Sequence, residues 1–302
     1  MNESRDCVVA LGFFDGVHRG HQAVIRRAAQ LAASRKLPLR VVTFDRRPKN
    51  EANGETAALI TDDRAKSLLL RQLVPTAELV TLRFDDDLRT MTWETFAQQI
   101  LRDELCALAA VCGEDFRFGH LGAGTPALLD TVLETVTVPP VCVDGGVVSS
   151  TRIRALLAEG KMDDAVRLLG HPYLLVSQSE HGDGRGASLG FATMNLKPGD
   201  GLRLLRPGVY ASGVELDGRS YRSVTDLGTR PTFYSDGAYI CETHIFDFSG
   251  ETYGREAVLS IYGYLRPEMK FDSPAALTRQ IAADAAAAKA YPIPAGFPDF
   301  DC

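Results

Sequence analysis

The sequence predicts an α/β domain built on a helix-flanked parallel sheet, followed by a small antiparallel β-barrel that ends in a helix. Three observations carry this expectation. The chain has 302 residues, about twice the usual domain length, so two cores are expected. Up to about residue 170, apolar strand-like runs alternate with helical patterns, the signature of a parallel sheet with crossover helices. Beyond His171-Pro172 short alternating runs take over, as in an antiparallel sheet closed on itself. The predicted domains are therefore 1–170 and 171–302.

Cys7 to Leu11 reads as a buried strand. Val24, Ala28 and Leu31 then recur at helical spacing before Arg40 to Phe44 reads as a second strand, giving a β-loop-α-β unit. The alternation continues through Glu78 to Leu82, Trp93 to Glu104, Ala107 to Cys112, Pro126 to Glu134 and Val136 to Val143. Thr125-Pro126 supplies an N-cap with proline at the first helical position, and Gly170 stands where a glycine ends the last helix. In the second half the runs are Tyr173 to Ser179, Val209 to Leu216, Tyr221 to Val224, Tyr239 to Phe248 and Ala257 to Leu265. Asp217-Gly218 is a hairpin turn, and Ser273-Pro274 caps an alanine-rich helix running to about Tyr291.

The 45% hydrophobic and 24% charged fractions are those of a soluble globular protein, and a formal charge of -6 disfavours a general nucleic-acid or anionic-membrane binder. No apolar run approaches the roughly 20 residues of a membrane span, so a cytoplasmic location is expected. The cysteines (7, 106, 112, 142, 241 and 302) show no C-x-x-C spacing and read as reduced, mostly buried thiols rather than a disulfide framework or a zinc site.

The most informative stretch is Gly12-Phe13-Phe14-Asp15-Gly16-Val17-His18-Arg19-Gly20-His21, which sets two histidines where a strand turns into a helix. Ligands of such a sheet lie beyond the carboxyl ends of its strands, and the free N–H groups of the next helix favour anions there. Two further segments follow the same logic: Gly113-Glu114-Asp115-Phe116-Arg117-Phe118-Gly119 after a strand, and Ser149-Ser150-Thr151-Arg152-Ile153-Arg154 at a helix start. Hydroxyls, backbone N–H groups and two arginines at one helix N-terminus make a phosphate cradle.

These three segments resemble the G-x-F-D-G-V-H-x-G-H, G-x-D-F-x-F-G and S-S-T-x-x-R motifs of the bacterial bifunctional riboflavin kinase/FAD synthetase family. The resemblance runs over nearly the whole chain. It implies a Rossmann-like nucleotidyltransferase domain followed by a flavokinase barrel, with FMN phosphate attacking the α-phosphorus of ATP to give FAD and pyrophosphate. On that basis His18 and His21 donate to phosphate oxygens, and Ser150, Thr151 and Arg154 hold the leaving pyrophosphate. Gly12, Phe14, Asp15, Gly20, Asp115 and Phe116 would form the nucleotide and FMN pocket. Where the family reads T-F-x-P-H-P, this chain has Thr43-Phe44-Asp45-Arg46-Arg47-Pro48.

In the second half the glycines of His181 to Gly186, Gly184 and Gly186 among them, suggest a phosphate-covering loop. The next segment matches the family's G-x-P-T-A-N at Thr193 and Asn195, with Ala192 and Met194 as departures. Those two oxygen donors suit hard Mg²⁺, with methionine adding bulk beside the metal. Alternation along Tyr239 to Phe248 puts Ile240, Glu242, His244, Phe246 and Phe248 on one face, so Glu242 is expected among apolar neighbours with a raised pKa. Glu242-Thr243-His244, followed by Asp247-Phe248 and Tyr253-Gly254, resembles the family's E-x-H, D-F and Y-G pattern, whose glutamate deprotonates the ribityl hydroxyl. Asp226 stands where the family has asparagine, and Arg266 in Leu265 to Phe271 is the candidate flavin-site residue.

The resemblance thus implies an enzyme that makes FMN from riboflavin and FAD from FMN, with ATP as co-substrate and Mg²⁺ as cofactor, and without nucleic-acid or membrane partners. Three other readings stay open at this point: an FAD synthetase whose kinase module has degenerated, a kinase whose adenylyltransferase is impaired, suggested by Arg46 and Arg47, and a non-catalytic flavin-binding regulator.

Overall fold

The computed structural model describes residues 6–45, 58–180, 193–196, 205–229 and 239–293, and these fall into two compact units. The first comprises Met1–Ala57 with Lys66–Ser149, the second Ala58–Ala65 with Ser150–Cys302. Arg46, Arg47, Gly184, Gly186 and Ala192 lie outside the described residues.

The first unit holds a five-stranded parallel sheet of β1 (Cys7–Leu11), β2 (Leu39–Phe44), β3 (Glu78–Leu82), β4 (Ala107–Gly113) and β5 (Glu134–Val138), in the order β3-β2-β1-β4-β5. The burial follows from composition. Central β1 is Cys-Val-Val-Ala-Leu and buried at every residue, whereas the edge strands Glu-Leu-Val-Thr-Leu and Glu-Thr-Val-Thr-Val show an exposed position at each polar end of their pattern. Helix α1 (Arg19–Arg35) presents Val24, Ile25, Ala28, Leu31 and Ala32 as its buried stripe, and α2 (Asp63–Leu73), which carries Lys66, and α3 (Asp86–Thr90) follow in the chain. The chain runs outward from β1 through β2 to β3, then returns to place β4 on the other side of β1. That reversal opens a crevice at the carboxyl ends of β1 and β4, where such sheets bind ligands.

Three expectations need correction in this unit. Trp93 to Glu104 is not a regular α-helix: after α4 (Trp93–Thr95), Phe96–Glu104 adopts the wider π form, with Leu105 N–H reaching Ile100 O five residues back. The helix predicted over Pro126 to Glu134 stops after α5 (Pro126–Leu129), because Thr131, Val132 and the Thr-Val-Thr-Val run of 135–138 are β-branched and favour the strand that follows. The strand predicted over Val136 to Val143 is cut at Pro139-Pro140, which cannot donate to a ladder. Its remainder pairs as β6 (Cys142–Val143) with β7 (Gly146–Val147). Among the described cysteines, 7, 112 and 241 are buried as expected, while Cys142 is exposed.

The second unit starts with α6 (Ser150–Glu159) and α7 (Met162–Leu169), the latter ended by Gly170 in the left-handed conformation at φ 77°. Six antiparallel strands then close a barrel: β8 (Tyr173–Glu180), β9 (Thr193–Leu196), β10 (Gly208–Leu216), β11 (Arg219–Thr229), β12 (Tyr239–Ile245) and β13 (Glu256–Arg266). Their order is β10-β11-β12-β9-β8-β13, with β13 pairing back to β10. Asp217 and Gly218, both at positive φ, make the tight turn between β10 and β11. Helix α8 (Pro274–Ala290), capped by Ser273, covers one outer face, where Val209, Ala211, Val224 and Phe246 pack with Ala288. The barrel interior carries a chain of buried hydroxyls: Ser212 bonds Ser223 and Thr225 at 2.7 Å each, and Thr225 bonds Thr243 at 2.9 Å.

Two candidate active sites

The first site is the turn from β1 into α1. Gly12 is required because a Cβ there would stand 2.6 Å from the Phe14 ring. Phe14 and Val17 both hold positive φ, 53° and 37°, a conformation that costs a non-glycine residue energy and that concentrates at functional turns. Asp15 is buried within the turn. His18 is the N-cap of α1, and its Nδ1 accepts the N–H of His21 at 3.3 Å. With Nδ1 accepting, the His18 proton sits on Nε2.

The two imidazoles stack, with centroids 3.5 Å apart and planes 16° from parallel, and Phe14 meets His21 edge-on at 5.4 Å. Burial, and then the proximity of His18, hold the His21 imidazole well below the ordinary histidine range, so it is neutral at pH 7. Its Nδ1 is buried and makes no hydrogen bond. The neutral His21 imidazole, stacked on His18 at a helix N-terminus, can donate to anionic oxygens.

The second segment leaves β4, the neighbour of β1, at the same sheet edge. Asp115 is exposed there and Phe116 is half-buried, stacked on Phe118 at 5.7 Å. The third segment opens α6 and belongs with the second unit. There Thr151 is exposed, Ser150 and Arg154 are half-buried, and Arg154 Nε donates to Ala58 O at 2.8 Å.

The second site lies on the barrel wall. Strand pairing aligns one row across all six strands: Arg266, Val209, Asp226, Glu242, Asn195 and Glu180. The row two residues along brings Val224, His244 and Thr193 level, so Thr193, Asn195, Glu242 and His244 share a face. Met194 points the other way and is 2% exposed, which removes the expected crowding beside the oxygen donors. The neighbours of Glu242 also differ from expectation: across the strands stand Asp226 and Asn195, a carboxylate and an amide, in place of apolar groups.

Arg266 is committed within the protein. Its Nε and Nη2 donate to the two carboxylate oxygens of Asp284 at 2.8 and 2.6 Å, a forked ion pair that ties α8 to β13. Gln280 adds a bond to the same carboxylate at 2.9 Å. No motif flagged Asp284. The available signal was its spacing of four residues from Ala288, which puts both on the buried face of α8.

The row also sets Asp226 opposite Glu242, an arrangement that like charges disfavour. Asp226 opens to solvent on one side, yet loss of hydration, and then the carboxylates of Glu268, Glu242 and Asp284, push its carboxyl up to about 6 against the pull of Arg266. Glu268 reaches over β11 so closely that a Cβ at Gly228 would collide with its carboxylate. Between the ordinary 3.8 and about 6, Asp226 is ionised in the unfolded chain but still protonated in the folded one. Folding then takes up a proton, so stability falls as pH rises through that window and levels above it. Asp226→Asn is therefore expected to raise Tm at about pH 8 and to change it little below about pH 4, as read from thermal melts across that range.

Comparison with known proteins covers both sites. The FAD synthetase family model matches residues 1–152 and the riboflavin kinase family model residues 169–292. The bifunctional riboflavin kinase/FMN adenylyltransferase of Pseudomonas fluorescens is 35% identical, over 97% of this chain and 95% of that protein. The protein of the same name from Bacillus subtilis is 35% identical over 93% of this chain and 91% of its own. A solved structure described as a macrolide-efflux protein from Streptococcus pneumoniae superposes with a TM-score of 0.82 at 31% identity, covering 97% of this chain and 96% of that one. Among the described residues no helix is long and apolar enough to cross a membrane.

Proposed function

Because the chain belongs to the bifunctional riboflavin kinase/FMN adenylyltransferase family, we propose that the His18/His21 turn serves adenylyl transfer and the Glu242 face of the barrel serves phosphorylation. The protein is an enzyme with both activities: it phosphorylates riboflavin to FMN with ATP, and adenylylates FMN with ATP to FAD and pyrophosphate. We assign the second activity to residues 1–170 and the first to 171–302, and place the protein in the cytoplasm.

In adenylyl transfer a phosphate oxygen of FMN forms a bond to the α-phosphorus of ATP while the α–β bridge breaks and pyrophosphate leaves. The attacking phosphate is already ionised, so the protein has no proton to remove; its task is positioning and charge stabilisation. His18 and His21 donate to the phosphate oxygens from their imidazoles. Gly12, Phe14, Asp15 and Gly20 shape the turn, Asp115 and Phe116 border the FMN or nucleotide pocket, and Ser150, Thr151 and Arg154 receive the leaving pyrophosphate.

In phosphorylation Glu242 takes the proton of the ribityl hydroxyl as its oxygen bonds to the γ-phosphorus and ADP leaves. Thr193 and Asn195 share the face of Glu242, and their oxygen atoms suit Mg²⁺. Among the described residues no group of three or more His, Cys, Asp or Glu side chains could hold a metal, so the ATP phosphates would complete the coordination. When bound, Mg²⁺ supplies neutralisation of the phosphate charge. Gly184 and Gly186, the proposed phosphate-covering loop, fall outside the described residues, and Arg266 acts here by holding α8 through Asp284.

The observation that carries this assignment is that a stacked histidine pair at the sheet reversal and a glutamate level with Asn195, on the face that Thr193 shares, occur in one chain. Purified protein with Mg-ATP is expected to give FMN and FAD from riboflavin, and FAD from FMN, by chromatography. FAD from FMN with no FMN from riboflavin would overturn the kinase half.

A further inference from the structure

Lys66 has no part in the mechanism above, yet it is 4% exposed. Burying an ammonium group is strongly unfavourable unless polar partners and a use for the charge offset it. Its Nζ donates to Phe44 O at 3.0 Å and lies 5.1 Å from the centroid of the Phe13 ring. Phe44 ends β2, and Phe13 begins the turn that leads to His18. The same two loops are joined a second time, where buried Thr43 Oγ1 donates to Phe13 O at 2.9 Å. Lys66 thus sits where β1 and β2 leave the sheet, at the edge that carries the histidine pair. A leucine or methionine would fill this space without the desolvation of a charge, so packing alone does not account for a lysine.

We infer that Lys66 is a positioning residue for adenylyl transfer: it clamps the exit loops of β1 and β2 and adds a fixed positive charge to the pocket that receives the ATP triphosphate. This rests on the assignment of that reaction to the His18/His21 turn. Through the Phe44 carbonyl and the Phe13 ring the ammonium fixes where the turn stands, and across the low-dielectric interior its charge favours a bound polyanion.

The test is the full-length enzyme carrying Lys66→Met, Lys66→Gln or Lys66→Arg, with both activities followed at several ATP and salt concentrations. Lys66→Met and Lys66→Gln are expected to lower kcat/KM for adenylyl transfer about 100-fold, chiefly through a higher KM for ATP, the scale on which one fixed donor or charge acts. Lys66→Arg should recover most of that loss, the salt dependence of KM should weaken in the neutral variants, and riboflavin kinase activity should stay unchanged. Three results would overturn the inference: adenylyl transfer within threefold of wild type in Lys66→Met; equal loss in the arginine and methionine variants with KM unchanged, which marks a role in packing; or parallel loss of both activities, which marks a role in folding. Retention of FAD synthesis by His21→Ala would instead overturn the underlying site assignment.

Discussion

Replacing His21 by alanine is expected to abolish FAD formation from FMN while FMN formation from riboflavin continues. Two losses combine. The neutral imidazole donor disappears, and removing one such donor typically costs 10²–10³ in turnover. His18 also loses the ring stacked on it at 3.5 Å, and with it the restraint on the orientation of its own Nε2–H. A combined fall of about 10³ or more follows if both imidazoles act on the transition state. The kinase reaction supplies the control, because Glu242, Thr193 and Asn195 all lie in the barrel. Assay of both products from one preparation decides the matter: a comparable drop in both would show that the sites are not separate.

Glu242→Gln is expected to do the reverse, leaving FAD synthesis from FMN intact and reducing phosphorylation of riboflavin about 10²–10⁴-fold, the usual contribution of a general base. The substitution is nearly isosteric and relieves the repulsion from Asp226 opposite, so folding should not suffer. Loss of rate without loss of stability therefore separates a chemical role from a structural one. A kinase rate within a few-fold of wild type would remove Glu242 from the reaction, and Asp226 would become the carboxylate to examine next.

Much of this was legible in the residues. Near-continuous apolar runs announce the central strands, since a parallel sheet is covered on both faces, and Gly170 and Asp217-Gly218 mark the end of α7 and the β10–β11 turn because few residues adopt positive φ. The turn after β1 was legible for the same reason: histidines, aspartate and glycines in that spacing have little use in a bare connection. What stayed hidden depends on pairing between distant segments. The face on which Met194 lies follows from the register of β9 on β12, which no local pattern states. The Arg266–Asp284 pair joins residues 18 apart on a strand and a helix, and Lys66, on an amphipathic helix, has the look of a surface residue until β2 and the β1 turn enclose it. Pro139-Pro140 is legible as the end of β5, because proline cannot donate to a ladder.

The hydroxyl chain inside the barrel has a bearing on errors of assembly. Ser212, Ser223, Thr225 and Thr243 occupy the inner positions of strands whose outer positions carry Asp226 and Glu242. A slip of one residue between neighbouring strands exchanges the two sets, turning carboxylates into the core and hydroxyls out to water. Such a misthreaded barrel would bury charges without partners, so each strand carries its own parity check. The outer carboxylates, Glu242 with its proposed role as base among them, thereby also forbid the chain from closing in any neighbouring alignment.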